Sequence, residues 1–102
     1  MYATIRRYDA VDQSRTSELV KKADETLVPR LSKLPGFAGY HLIEAGNGVI
    51  SSLGIFETSE QVDASTKLAA SWISDEKLET TFPNPPKITT GKVLSHRNGV
   101  TV

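Results

Sequence analysis

The central stretch of the chain, residues 37–61, reads FAGYHLIEAGNGVISSLGIFETSEQ. Two runs within it, Phe37 to Ile43 and Val49 to Phe56, are rich in β-branched and aromatic residues, and Asn47-Gly48 between them is a strong signal for a hairpin turn. Thr58 to Gln61 has the spacing of a capping box, in which two side chains and two backbone amides bond reciprocally. We therefore predict an antiparallel hairpin that leads directly into a helix.

The segment before the hairpin predicts one strand and one helix. Residues 2–8 alternate between two faces, which is typical of a strand. From Asp12, a suitable N-cap, apolar residues recur at spacings of three and four, which predicts a helix with one buried stripe. Pro29 lies inside this pattern and removes a backbone hydrogen bond, so we expect the helix to bend or restart there. The predicted stripe is Val20, Ala23, Leu27, Leu31 and Leu34.

The segment after the hairpin predicts a second helix and a last strand. Leu78 and Phe82 should cover the end of the helix that starts at Thr58, and Pro83–Pro86 should be a rigid connector within one domain. Ile88 to His96 has the composition of a final strand. The predicted inward stripe of the second helix is Val62, Ser65, Ala69, Trp72 and Ile73.

The order of elements, β-α-β-β-α-β, predicts an α+β, ferredoxin-like fold for residues 1–102 as a single domain: a four-stranded antiparallel sheet with two helices on one face. If the more apolar side of each strand faces the helices, the inner face carries Ala3, Ile5, Val49, Leu53, Ile55 and Val93. The other face then carries Tyr2, Thr4, Tyr8, Ile43, Ile50, Phe56, Ile88 and Leu94. Because this second face is too apolar to be left in water, we expect a second copy of the sheet to cover it.

Composition narrows the function classes. The 102 residues include twelve basic and twelve acidic side chains, so no net field attracts nucleic acid or an anionic membrane, and little repulsion opposes self-association. The absence of cysteine excludes a disulfide, a thiolate metal site and a cysteine nucleophile. No apolar run approaches the ~18 residues of a membrane span, and Met1–Arg7 lacks the apolar core of a signal peptide. We expect a cytoplasmic protein.

Four stretches resemble the antibiotic-biosynthesis-monooxygenase-like (ABM-like) branch of the dimeric α+β barrel superfamily: Met1–Tyr8, Pro29–Tyr40, Ala69–Ile73 and Pro83–Thr89. Together they span nearly the whole chain. The resemblance implies a homodimer whose two sheets pair into a barrel, with a pocket between sheet and helices in each subunit. It also implies activities such as cofactor-independent oxidation of quinol-like aromatics or oxidative cleavage of heme.

The heme-cleaving branch has an asparagine on the first strand and a tryptophan and a histidine on the second helix. Here Arg7 stands in the position of the asparagine, and the second helix carries Trp72 but no histidine. Trp72 itself aligns with the pattern only across a gap. We therefore expect no heme degradation and no cofactor. We also expect no metal site, because His41 and His96 lie on different predicted strands and neither has carboxylates nearby in a metal-binding pattern.

The residues that we expect around a ligand are Trp72, Tyr40 and Arg7. Trp72 would fix the plane of an aromatic ring, and Arg7 would stabilise the oxyanion of a deprotonated substrate. His41 is the candidate general base, with Arg7 as the other catalytic candidate. Each also has a structural interpretation: Trp72 as a core side chain, Tyr40 with its hydroxyl in water, His41 hydrogen-bonded at a dimer seam.

One of Arg6 and Arg7 faces the helices and the other the barrel, and the alternative for a buried arginine is an internal ion pair with Glu44, Glu57 or a helix carboxylate. Gly46–Gly48 joins two strands and precedes no helix, so it is not a phosphate-binding loop. The sequence, together with the resemblance, thus favours a small ABM-like homodimer that binds a planar aromatic or quinone-type molecule. The resemblance implies that it oxidises this molecule as a cofactor-independent monooxygenase. The alternative is a non-catalytic ligand-binding or stress-associated dimer.

Overall fold

A computed structural model describes residues 1–97 of the chain; residues 98–102 of the predicted domain lie outside that range. Its strands are β1 Tyr2–Tyr8, β2 Phe37–Gly46, β3 Val49–Phe56 and β4 Lys87–Lys92. They form one antiparallel sheet in the order β2-β3-β1-β4. The predicted α+β, ferredoxin-like fold with its four-stranded antiparallel sheet is confirmed.

The hairpin between β2 and β3 turns at the predicted dipeptide. Asn47 and Gly48 have φ values of 54° and 76°, which is the left-handed region that a two-residue hairpin turn with matching twist requires at both positions. The Val11 N–H donates to the Gly48 carbonyl at 2.8 Å, so the turn is also tied to the segment that follows β1. Local turn chemistry therefore fixes the register of this half of the sheet.

The first helical segment is broken into short pieces. A 3-10 turn, Gln13–Arg15, is capped by the Asp12 side chain, and α1, Thr16–Lys22, leads into a π-helical turn at Ala23–Leu27. The segment then restarts as α2, Val28–Ser32, with Pro29 in its first turn. The restart at Pro29 is confirmed, because a residue without an N–H is tolerated only where a helix begins.

The second helical segment, α3, spans Ser59–Asp75 and begins at the predicted capping box. The Gln61 N–H donates to Thr58 Oγ1 at 3.3 Å, and the Thr58 N–H donates to Gln61 Oε1 at 3.0 Å. Gly36, at φ 76°, lies against the same Gln61 side chain, and a Cβ at Gly36 would collide with it. The start of β2 and the start of α3 are therefore packed together at one end of the sheet.

In β1 and β3 the two faces of the sheet are the reverse of those predicted, whereas Ile43 of β2 lies on the open face as predicted. The helix-covered face buries Thr4, Arg6 and Tyr8 of β1. Opposite them, β3 buries Ile50, Ser52 and Phe56. The residues predicted to face the helices, such as Ile5, Leu53 and Ile55, lie on the open face instead. The rule of choosing the more apolar side fails because the helix-covered face also lines a cavity and carries polar side chains for it.

Smaller differences concern the ends of elements. Leu19, next to the predicted Val20, enters the core, and Val20 is 44% exposed. Leu78 and Phe82 are buried beneath the end of α3, as predicted. Strand β4 ends at Lys92 rather than His96 and lies at the sheet edge, where its six residues are exposed. Within residues 1–97, no helix has the length and apolar character needed to span a bilayer.

Candidate functional site

A cavity of about 450 Å³, here called the main cavity, lies between the sheet, α3 and the connector that precedes β4. Its apolar lining consists of Ala70, Ile73, Phe82, Ile88 and three of the residues of Pro83–Pro86. Its polar lining consists of Arg6, Tyr8, Thr66, Glu79 and Asn84. The volume falls within the range of pockets that enclose small organic ligands. The mainly apolar walls favour a hydrophobic ligand with few polar groups.

Aromatic and proline rings give the main cavity rigid walls. The rings of Tyr8 and Phe82 pack with their centroids 4.5 Å apart and their planes tilted by 41°. Proline fixes its own backbone torsion, so the connector Pro83–Pro86 cannot collapse easily into the space it borders. The cavity is therefore built by the sheet strands β1 and β4, by α3 and by the segment that leads from α3 to β4.

Arg6 is the charged group on the helix-covered face of β1 that reaches this cavity. Its side chain is only 3% exposed, and among residues 1–97 no carboxylate lies within salt-bridge distance of it. The Nε and Nη1 atoms of Arg6 have no hydrogen-bond partner among the described residues. A buried charge without a partner is costly, because the hydration that it loses is not replaced. The site therefore suits a ligand that brings an anionic or strongly polar oxygen.

Two phenols flank Arg6. Burial raises the pKa of Tyr8, and the nearby Arg6 guanidinium offsets part of this rise. Burial likewise raises the pKa of Tyr40, with Arg6 again acting in the opposite direction. Both phenols are therefore protonated at neutral pH, where they donate hydrogen bonds and do not neutralise the charge of Arg6.

A second, much smaller space of about 20 Å³, here called the inner void, adjoins the main cavity. Arg6, Tyr8 and Phe82 line both spaces. The other polar residues around the inner void are Tyr40, Ser52 and Trp72. Ala23 and Leu27, the first and last residues of the π-helical turn, form part of its apolar wall. Arg6 therefore lines both the main cavity and the inner void.

The comparisons with known proteins come from structure rather than sequence. No family model matches the chain, and no curated protein matches it. NE2512, a protein of unknown function from Nitrosomonas europaea, superposes with a TM-score of 0.74 at 16% identity, covering 98% of this chain and 95% of that one. The monooxygenase from the gene ActVA-Orf6 of Streptomyces coelicolor, solved with the ligand Nanaomycin D, has a TM-score of 0.67 at 14% identity, covering 99% and 91%.

A dimeric ferredoxin-like protein from an uncultured marine organism has a TM-score of 0.67 at 18% identity, covering 96% of this chain and 98% of that one. Other similar structures are named antibiotic biosynthesis monooxygenases. The fold is the ABM-like fold. The resemblance found in the sequence is thus confirmed for the fold, and a shared fold at these identities leaves the activity to be argued from the site.

Within this ABM-like fold, the structure brings together two of the three predicted ligand residues. Tyr40 and Trp72 both line the inner void next to Arg6. The indole Nε1 of Trp72 donates to Thr26 Oγ1 at 2.7 Å, so this side chain is anchored in the core behind the site and does not line the main cavity. The geometry gives Trp72 a supporting position, and its contact with a ligand stays a prediction.

The structure does not bring Arg7 to this site. The side chain of Arg7 lies on the open face, is 54% exposed, and forms a 3.0 Å ion pair with Asp9. The prediction that Arg7 shares a pocket wall with Tyr40 and Trp72 is wrong, because strand alternation points Arg7 away from the helices and places Arg6 there. No ion pair joins either arginine to Glu44 or Glu57 in residues 1–97.

His41, the candidate base, lies on the open face of β2, opposite Leu53, and lines neither space. Glu79 lines the main cavity, and its carboxylate is therefore placed to act as the general base, the role predicted for His41. Among the residues that the structure describes, no cluster of three potential ligands could hold a metal ion. Sequence reasoning missed Ser52, Glu79 and Asn84, none of which belongs to a recognisable motif.

Proposed function

We propose that the protein acts in the cytoplasm as a homodimer that binds a planar aromatic or quinone-type molecule in the main cavity. The observation that carries this proposal is the buried Arg6 guanidinium, which has no carboxylate partner within residues 1–97 and lines a largely apolar cavity. The ligand's oxygen would point to Arg6, and its ring would lie against the apolar walls.

Two features support an aromatic ligand with an acidic hydroxyl or a keto oxygen. The walls formed by Phe82, Ile73 and the proline connector offer apolar area but few hydrogen-bond donors. Arg6 and the protonated Tyr8, which lie next to each other, both supply hydrogen-bond donors to this cavity. A phenolate or quinone oxygen accepts hydrogen bonds from both groups and supplies the negative charge that Arg6 lacks.

The proposal extends to oxidation of the bound ring by dioxygen without a cofactor. Arg6 would stabilise the oxyanion that forms when the bound phenol loses its proton, which makes the ring more electron-rich. Glu79 lines the same cavity and would accept that proton. For an anthrone, one oxygen atom would replace the two ring hydrogens as a new carbonyl, and the other would leave as water.

The proposed dimer would form through the open sheet face. Ile5 and Ile43 on this face are exposed, and Leu53 and Ile55 are only half-buried by their neighbours. A second copy of the same sheet would cover these aliphatic side chains. Light scattering should give a mass of twice 11.1 kDa, and a stable monomer of 11.1 kDa would contradict this part of the proposal.

The second candidate function is a non-catalytic ligand-binding or stress-associated dimer. It is favoured by the position of His41, because the histidine expected to act as the base lies outside the cavity. The purified protein should be incubated in air with hydroquinones and anthrones in an oxygen electrode. Oxygen uptake that depends on Arg6 supports oxidation, and binding without uptake supports the second candidate. No binding of any ring contradicts the proposed function and leaves only a stress-associated dimer.

A further inference from the structure

The inner void has an unusual set of unpartnered polar atoms. Arg6 Nε and Nη1 and Ser52 Oγ are buried and have no hydrogen-bond partner among the described residues. The two residues that carry these atoms both line the inner void. They are also directly opposite each other in the pairing of β1 with β3, so their side chains emerge side by side on the same face.

Such atoms have a strong requirement for a partner. Leaving a buried donor unsatisfied costs its full desolvation penalty, and native proteins satisfy nearly all buried polar side-chain atoms. A water or other oxygen needs roughly 10–15 Å³ of such space and two to four polar partners. The inner void, at about 20 Å³, meets both conditions for one oxygen atom.

We propose that the inner void is a binding subsite for a single oxygen atom, formed by Arg6, Ser52 and the phenol of Tyr40. This inference rests on the proposed function and makes it more specific. A ligand with one hydroxyl or keto oxygen on its ring inserts that oxygen into the subsite. A carboxylate has two oxygens in a fixed plane, so it is held outside in the main cavity despite its favourable charge.

Ser52 is accordingly a specificity-determining residue. Its hydroxyl is the neutral partner beside the Arg6 charge, and it donates to or accepts from the inserted oxygen. Burial raises the pKa of Tyr40, which lines the same void, so its phenol stays protonated and can donate as well. The neighbouring Ser51 pairs with Arg7 and faces the opposite side of the sheet. Ser51 therefore provides a matched control within the same strand.

The test compares two probes with the same ring, 2-naphthol and 2-naphthoate, by calorimetry on the wild-type protein. The subsite predicts that 2-naphthol binds at least about tenfold more tightly, although 2-naphthoate carries the full negative charge. Equal binding, or tighter binding of 2-naphthoate, would overturn the subsite and leave the proposed cavity in place. If neither probe binds, the proposed function itself fails.

The same titrations on two variants locate the effect. Ser52→Ala should weaken the binding of 2-naphthol about fivefold, which is the size expected for one lost hydrogen bond. The same variant should change the affinity for 2-naphthoate less than about twofold. Ser51→Ala should change neither. An equal loss for both probes in Ser52→Ala would assign Ser52 a general structural role and contradict its part in selection. Melting temperatures measured in parallel exclude unfolding as the cause.

Discussion

The two faces of β1 place two adjacent arginines in opposite environments. Arg6 is 3% exposed, faces the helices and has no carboxylate partner in the described part of the chain. Arg7 is 54% exposed, faces outward and pairs with Asp9. An exposed pair of this kind contributes about 0–1 kcal/mol, whereas a buried cation without a partner is costly. The difference shows that the environment of a side chain, rather than its type, marks a binding group.

The same contrast extends across the sheet. Beside Arg6, Tyr8 and Ser52 line the cavities of the helix-covered face. Beside Arg7, the open face carries aliphatic residues such as Ile5 and Leu53, which line neither the main cavity nor the inner void. One face is therefore suited to a small ligand and the other to a protein surface.

The largest expected effect comes from exchanging each arginine for methionine. Arg6→Met should weaken binding of a phenolic ligand about 100-fold, or about 3 kcal/mol, because the charged donor is lost. It should leave the free energy of unfolding unchanged or higher, because a costly buried charge is removed. Calorimetry and urea denaturation measure the two quantities.

Arg7→Met is the matched control on the open face. It should leave ligand affinity within about twofold of the wild-type value, because the Arg7 side chain lies on the side of the sheet away from the cavity. If Arg7→Met weakened ligand binding as strongly as Arg6→Met, the assignment of the two faces would be wrong.

A charge placed on the open face should weaken the proposed dimer. Ile5→Glu should raise the dimer dissociation constant about 30-fold, because roughly 2 kcal/mol of apolar burial is lost. Sedimentation at several protein concentrations measures the change. Ligand affinity measured per subunit should be preserved, and a dimer unaffected by Ile5→Glu would exclude this face as the interface.

A moderate effect on stability is expected at the core side of the site. Trp72→Phe removes the hydrogen bond to Thr26 and leaves a small cavity, so it should lower the free energy of unfolding by about 1–2 kcal/mol. Ligand affinity should fall less than about threefold, since the indole N–H of Trp72 already donates to Thr26 and the walls of the main cavity are formed by other residues. Thr26→Val separates the hydrogen bond from the packing. A loss of affinity without a loss of stability would instead show that Trp72 contacts the ligand.

The smallest effect appears at alkaline pH. Burial raises the pKa of Tyr8 above its ordinary value of 10.0, so the folded state retains this proton more tightly than the unfolded state. The associated stability is present in full below pH 10 and is lost as the pH rises through the higher folded value. Urea denaturation between pH 9 and pH 11 should show this decline, and Tyr8→Phe should reduce it. An unchanged slope in Tyr8→Phe would contradict the burial of its phenol.

Much of the fold follows from local sequence signals. Asn47-Gly48 specifies the hairpin, Thr58 with Gln61 specifies the start of α3, and Pro29 marks the restart of the first helical segment. Each signal depends on residues within one turn of the chain, so its physical effect is the same in any fold. These elements and their order were sufficient to predict the sheet and the ferredoxin-like fold, whereas the ABM-like expectation rested on the resemblance of four stretches of the sequence.

The direction in which each strand face points and the location of the site could be predicted less well from the sequence. Arg6 and Arg7 differ only in parity, and both faces of β1 carry apolar residues, so no local pattern chooses between them. The cavity depends on long-range packing of β1 against α3 and Pro83–Pro86. Ser52 is one of two adjacent serines, and only the pairing of β3 with β1 places it beside Arg6.

The most direct test of Arg6 as the anion-binding group is the pKa of a bound phenol. The ionised form of 4-nitrophenol absorbs at longer wavelength than the neutral form, so its titration can be followed while it is bound. The buried, unpaired guanidinium predicts that the pKa of 4-nitrophenol is lower in the complex than in water, and that this shift disappears in Arg6→Met. An unchanged or raised pKa in the wild-type complex would contradict this role of Arg6.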